Sequence, residues 1–184
     1  MSWIKEEKVD LPPVIASMSI NRPAMDAVQN LAAAVTFGGS VLTRVQEEAI
    51  STVVAAINSC RYCTMSHGGF LRQHSDDPEL ASHIMHDYTQ ADLDDQTRGM
   101  LDFAVKLTKD PAKNTKADLQ KLRDLGLDEQ EVLATVLITC FFNFMTRLAD
   151  GLGVEIQENR FEAAKRWMSA DVQAMSWLME HKEK

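Results

Sequence analysis

The chain has 184 residues, a formal net charge of −8 and three cysteines. An acidic balance with no basic stripe disfavours binding to a phosphate backbone, so no nucleic-acid role is expected. An odd cysteine count with a single close pair is not a secreted disulfide framework. No run approaches the ~20 apolar residues of a membrane span, and Lys5, Glu6, Glu7, Lys8 and Asp10 stand where a secretory signal would be apolar, so a cytoplasmic protein without membrane attachment is expected.

With 45% hydrophobic residues, only 8 Gly and 5 Pro, the composition predicts one helix-rich globular domain. Residues 1–22 read as an N-terminal arm, because Pro12-Pro13 and Arg22-Pro23 interrupt any continuous helix. Trp3, Ile4, Leu11, Val14, Ile15 and Met18 are too apolar for a free tail, so the arm is expected to lie on the body or on a neighbouring subunit. Residues 23–184 read as a single helical domain. Pro23 opens a helix to about Thr36, closed by Gly38-Gly39. Thr43-Arg44-Val45-Gln46 is a capping box that starts a second helix, with Val45, Ala49, Ile50, Val53, Val54 and Ile57 as its buried stripe. Asn58-Ser59 leads into a third helix that runs from about Cys60 to about His74. Pro78 starts a short helix through Tyr88, and Asp94 or Asp95 caps a longer one that ends at Asp110-Pro111. Thr115 opens another, closed by Gly126. Asp128-Glu129-Gln130-Glu131 is a further capping box, opening the most apolar helix, Val132 to about Leu148. A last helix is expected from about Gln157 towards Met179, with a fraying charged terminus. No period-two alternation or hairpin turn is present. The predicted class is all-α.

Thr52-Val53-Val54 recurs 83 residues later as Thr135-Val136-Leu137. The same offset maps Glu48 to Glu131, Cys60 to Asn143, Cys63 to Thr146 and His67 to Asp150. Two related helical hairpins would explain this, as would chance similarity between amphipathic helices.

The chemical signal lies in Cys60-Arg61-Tyr62-Cys63-Thr64-Met65-Ser66-His67. At ~100° per residue, Cys60, Cys63 and His67 share one helix face. A helix N-terminus favours thiolate over thiol, and an imidazole one turn beyond Cys63 can exchange a proton. Paired thiols can pass from a sulfenic acid to a disulfide. Glu48, one helical step from the buried stripe, is the candidate orienter of His67. Zinc is the rival chemistry, with Cys60, Cys63, His67 and Glu48 or water as ligands, but no second CxxC or HxxxH completes a structural site. Cys140, in Thr139-Cys140-Phe141-Phe142, reads as an inert core thiol. His74, His83 and His86 read as surface groups, and His181 lies near the terminus.

Glu48, Cys60-Arg61-Tyr62-Cys63 and His67 together fit the pattern E-x(11)-C-x-x-C-x(3)-H. That pattern, with Phe142-Asn143-Phe144-Met145-Thr146-Arg147-Leu148-Ala149-Asp150-Gly151-Leu152-Gly153-Val154 further on, resembles the AhpD-like alkylhydroperoxidases, in the peroxidase-related branch of the carboxymuconolactone decarboxylase-like superfamily. The resemblance covers most of residues 20–160. It implies an all-helical AhpD-like bundle with a CxxC helix, assembled as trimers or hexamers. It also implies a thiol-dependent peroxidase that reduces hydrogen peroxide or organic hydroperoxides through a Cys60/Cys63 dithiol–disulfide cycle without haem, flavin or metal, and that is regenerated by a lipoyl or thioredoxin-like dithiol. In that family's terms Cys63 is the peroxide-reacting thiol, Cys60 the resolving thiol and proton donor, and Glu48 and His67 the proton relay. One departure stands out. AhpD proper has a histidine just before the second cysteine, where this chain has Tyr62, a poor base with a phenol pKa near ~10. A redox-sensing or binding oligomer with little peroxide turnover is therefore the competing expectation.

Overall fold

Helix α3 (Arg44–Ile57) is the centre of the molecule. Its residues Glu47 to Ala55 are all buried, polar and apolar alike. A helix buried on every side needs partners on every side. α4 (Arg61–His74), α5 (Leu80–His86), α6 (Asp95–Lys109) and α8 (Glu129–Gly151) supply them. The computed structural model describes residues 2–180, and it contains no strand among those described residues. The fold is all-α, as predicted. The remaining helices are α1 (Pro13–Ala16), α2 (Arg22–Val35), α7 (Lys116–Asp124), α9 (Glu158–Lys165), α10 (Ala170–Gln173) and α11 (Ser176–Met179). His181 and the rest of the charged terminus lie outside the described residues.

The helix starts follow local chemistry. The Thr43 hydroxyl accepts from the Gln46 backbone N–H at 3.2 Å, while the Gln46 side chain accepts from the Thr43 N–H at 3.1 Å. Asp94 accepts from Thr97 N–H at 2.8 Å. Asp128 and Glu131 cap each other's backbone at 2.9 and 2.8 Å. Each such cap satisfies donors that a helix end leaves open.

The helix ends decide where the chain turns. α7 and α8 close with six-residue bonds, Leu127 N–H to Leu122 O at 3.2 Å and Val154 N–H to Ala149 O at 2.8 Å, through Gly126 and Gly153 at positive φ. α3 ends the same way. Cys60 N–H donates to Ala55 O at 3.0 Å and Ser59 N–H to Ala56 O at 2.9 Å, with Ser59 at φ 52°. This is a Schellman closure with serine where glycine is usual. A left-handed serine costs roughly 1–2 kcal/mol, partly offset by the greater freedom of glycine in the unfolded chain. Ser59→Gly is therefore expected to raise unfolding free energy by up to about 1 kcal/mol in denaturant titration. A loss of stability would mean that the serine hydroxyl contributes more than its backbone costs.

The arm is pinned to the body. Trp3 N–H donates to Leu152 O at 2.8 Å, and its indole lies where a Cβ on Gly153 would be, 2.1 Å from Cε2. Within the arm, Glu7 N–H donates to Ser19 Oγ at 2.7 Å.

The structure departs from the sequence expectations in five places. The helix expected from Pro78 through Tyr88 is shorter, Leu80–His86, and is followed by a 3-10 turn at Tyr88–Gln90. The final segment is not one helix but three short ones, and the breaks leave both Val172 and Leu178 fully buried. Ser169 marks one break. Its N–H donates to Ser82 Oγ on α5 at 3.1 Å, and its Oγ accepts from Val172 N–H at 3.3 Å. The second hairpin suggested by the 83-residue offset is absent, since residues 143–150 continue along α8 without a turn. α8 is, by length and composition, apolar enough to cross a membrane, contrary to expectation, but more than half of its most apolar window is buried inside the protein. Finally, Cys140 is exposed rather than core. It follows Leu133 and Leu137 and precedes Phe144 at helical spacing, and all of these face outward.

Arg61 ties the C-terminal helices to the start of α4. It is buried, its Nε donates to Leu178 O at 2.8 Å, its Nη1 to Glu155 Oε2 at 2.8 Å, and its guanidinium sits 4.5 Å from the Phe161 ring centroid. Charge-assisted hydrogen bonds of about 1.5–3 kcal/mol and a desolvated cation–π contact of about 2 kcal/mol are lost together in Arg61→Met, less what the apolar stem regains. A net loss of about 3 kcal/mol is expected in chemical denaturation. A loss under about 1 kcal/mol would put this pair with ordinary surface bridges.

Candidate active site

The Schellman turn that ends α3 also starts α4. Cys60 is the N-cap of α4, with an extended backbone (φ −84°, ψ 100°). The helical-wheel argument therefore holds for Cys63 and His67, which lie within α4, while Cys60 stands one residue before it. Cys63 occupies the third helical position, among backbone N–H groups that have no intrahelical acceptor. That place favours a thiolate. Both cysteines are buried.

α4 folds back along α3, and this reversal brings Glu48 against His67. Glu48 Oε2 lies 2.7 Å from His67 Nδ1. A carboxylate can only accept here, so Nδ1 carries the proton and Nε2 is left for proton exchange. Glu48 is itself held. Its other oxygen accepts from Arg44 Nη2, and Arg44 Nη1 reaches Glu47 Oε2 at 2.7 Å. Glu47 also accepts from Gly38 N–H at 2.8 Å and from the Ser40 hydroxyl at 2.6 Å. Two fully buried carboxylates thus share one arginine, and each has further donors, which is what ionised groups out of water require.

Aromatic rings enclose the imidazole. Phe142 of α8 meets it edge-on at 4.4 Å between centroids, Phe70 at 5.7 Å and Phe37 at 6.1 Å. Phe37 has φ 54°, and Arg44 lies 5.4 Å from its ring centroid. A strained residue at a site's edge is held by its surroundings. Here the surroundings are the same arginine that holds Glu48.

Cys63, His67 and Tyr62 line a cavity of about 360 Å³ whose remaining wall is mostly apolar, including Ile15, Phe37, Phe70, Phe142 and Met145. The half-exposed Phe37 forms part of its edge. Cys60 is fully buried and does not line it. Of the two sulfurs, Cys63 alone borders the cavity, with Cys60 behind it at the helix start. Burial pushes the Tyr62 phenol above its usual value, against a hydrogen bond from the Val14 backbone that lowers it. Tyr62 therefore holds its proton more firmly than a solvated tyrosine, and less phenolate is available at neutral pH to accept one. Among the described residues no three His, Cys, Asp or Glu side chains are grouped so as to hold a metal ion.

The four residues singled out from the sequence stand as follows. Glu48 and His67 are bonded, His67 and Cys63 border one cavity, and Cys60 is the buried N-cap of the same helix, off the cavity wall. Sequence reasoning missed Arg44, Glu47, Phe37 and Phe142. For Arg44 the signal was there, since it precedes Glu48 by four residues, the spacing of a helical ion pair. His74 and His86 are exposed, and His83 is half-buried.

No protein-family model matches the chain, and no curated protein matches it in sequence. Solved structures do. An uncharacterized peroxidase-related protein from Ralstonia eutropha, described as an alkylhydroperoxidase AhpD core, is 28% identical with TM-score 0.76, covering 82% of this chain and 80% of its own. A peroxidase-related protein from a Silicibacter species is also 28% identical with TM-score 0.76, covering 86% of this chain and 97% of its own. The debrominase Bmp8 shares the fold at 16% identity, TM-score 0.74, with 85% and 83% covered. The two neighbours at 28% identity are both described as peroxidase-related, which supports an enzymatic role. The central α3, the reversal into α4 and the apolar helices around them form, in short, an AhpD-like fold of the carboxymuconolactone decarboxylase-like type.

Proposed function

We propose that the protein is a thiol-dependent peroxidase. The observation that carries the proposal is the 2.7 Å Glu48–His67 hydrogen bond beside a cavity that His67 shares with Cys63. The Cys63 thiolate attacks the outer peroxide oxygen. The O–O bond breaks, the sulfur gains that oxygen as a sulfenic acid, and the departing alkoxide takes a proton to leave as an alcohol. Cys60 then attacks the Cys63 sulfur, an S–S bond forms, and the oxygen leaves as water. Two electrons have passed from the dithiol to the peroxide. A lipoyl or thioredoxin-like dithiol returns the pair to thiols. His67 moves the protons, and Glu48 holds its tautomer. No step calls for haem, flavin or metal.

Tyr62 supports a second reading. It stands where AhpD proper has a further relay histidine, and burial keeps the phenol protonated, with still less phenolate to take up a proton. A relay short of one member suits slow turnover, as in a redox sensor. The homo-oligomer that the family resemblance implies, a trimer or hexamer, is supported by the exposed Leu133, Leu137 and Phe144 on α8.

The test is hydroperoxide consumption with a dithiol reductant, following alcohol formed and dithiol spent. One alcohol per dithiol oxidised is expected. Rapid disulfide formation that stops after a single turnover even with reductant present would favour the sensor. No peroxide-dependent oxidation of the pair would refute both.

A further inference from the structure

The cavity at Cys63 is not isolated. A second hollow of about 400 Å³ adjoins it, and the two share Ser66, Phe70 and Arg160 as common wall. Their linings differ in kind. The first is mostly apolar. The second carries Arg72, Gln73 and Trp167 in addition to Arg160. No Asp or Glu lines either hollow among the described residues. Arg160 and Arg72 engage no carboxylate in an ion pair among the described residues. In a chain of net charge −8, two arginines on one hollow with no acidic partner among the described residues form a local positive site set against the general field. Each guanidinium presents donors matched to a carboxylate. Cavities of roughly 300–1,000 Å³ bury most of a small ligand, with a few polar groups fixing its orientation. Here the polar group at the join is cationic, and the reactive sulfur lies in the apolar half.

We infer that the preferred substrate is an amphipathic carboxylic acid hydroperoxide, of the fatty-acid type. Its apolar chain fills the cavity at Cys63, and its carboxylate is received by Arg160 and Arg72 in the adjoining hollow. This deepens the peroxidase reading and rests on it for the hydroperoxide. The site for an amphipathic acid stands on the two hollows alone. The reaction at the sulfur is unchanged. The hydroperoxide leaves as the corresponding hydroxy acid, and the carboxylate takes no part in the electron transfer.

The experiment has two arms. In the first, linoleic acid hydroperoxide and its methyl ester are compared as substrates for wild type, Arg160→Met, Arg72→Met and Arg160→Lys. Wild type is expected to favour the acid over the ester in kcat/KM. Each methionine variant should reduce that ratio by roughly 10–100-fold, the range for losing a hydrogen bond to a charged group, while lysine retains most of it. In the second arm, calorimetry follows dodecanoate and methyl dodecanoate binding to the same proteins without turnover. Dodecanoate should bind wild type more tightly and lose that advantage in the methionine variants. Circular dichroism checks that each variant is folded, and with two independent arginines the test survives the failure of one. A wild type that treats acid and ester alike, or methionine variants with an unchanged ratio, overturns the inference and leaves the peroxidase reading standing. If no hydroperoxide is consumed at all, the peroxidase reading falls, and the dodecanoate arm alone decides whether an amphipathic acid occupies the site.

Discussion

Cys63→Ser is expected to reduce hydroperoxide turnover by about 10³-fold or more, the scale on which removing a covalent nucleophile acts. Serine is nearly isosteric with cysteine, so the helix, the cavity and the Glu48–His67 pair should persist. A hydroxyl at neutral pH offers no nucleophile comparable to a thiolate, and it cannot accept the peroxide oxygen and pass to a disulfide. Cys60→Ser should behave differently. Its first oxidation at Cys63 should proceed, but the sulfenic acid has no partner within the motif, so catalysis stops after one event or continues only by slow external resolution. The two variants therefore separate attack from resolution. They also decide between the two roles that a helix N-terminus leaves open, because a cap position can activate Cys60 as readily as the third position activates Cys63. The cavity favours Cys63, which borders it while Cys60 does not.

The second large effect is expected from Glu48→Gln, a loss of about 10²–10⁴-fold in kcat, with KM changed far less. The amide can present its N–H to His67 Nδ1 and hold the imidazole in the opposite tautomer, which leaves Nε2 protonated and unable to receive a proton. Arg44 would retain Glu47, to which it is bonded at 2.7 Å, so the local fold should hold. Glu48→Asp retains the charge but shortens the reach, and a smaller loss is expected. Parallel kinetics of the two variants distinguish tautomer control from mere packing. If Gln and Asp lower kcat equally, position matters more than charge. If Glu48→Gln stays within about twofold of wild type, the relay role is gone.

Most of the architecture was legible because its signals are local. Thr43, Asp94, Thr115 and Asp128 each begin the helix that their side chains announce, and Gly126 ends one where a left-handed residue is needed. The errors arose where tertiary packing overrode local pattern. Residues 157–179 have helical composition throughout. The chain nevertheless breaks at Ser169, so that Val172 and Leu178 can turn inward and Leu178 O can meet Arg61. Cys140 lies in an apolar run. Periodicity along α8 puts it on the outward face with Leu133, Leu137 and Phe144, whereas Phe141 and Phe142 point inward. The run's composition suggested burial, and the phase of the helix decided otherwise. At the site, the spacing of Cys60, Cys63 and His67 was visible, and so was Glu48 as a candidate. Their geometry depends on the turn at Ser59, a serine in a conformation that favours glycine. Arg44 was readable as the i−4 partner of Glu48, whereas Phe142 comes from a helix far away in sequence and Glu47 from buried charge, neither of which a single sequence displays.

The measurement that bears most directly on the central claim is peptide-level mass spectrometry of Cys60→Ser treated with one equivalent of organic hydroperoxide in the presence of a sulfenic-acid trap. The account expects the trapped oxygen on Cys63, in an amount matching the alcohol released. Oxygen trapped on Cys140 instead, or alcohol released with Cys63 unmodified, would contradict it.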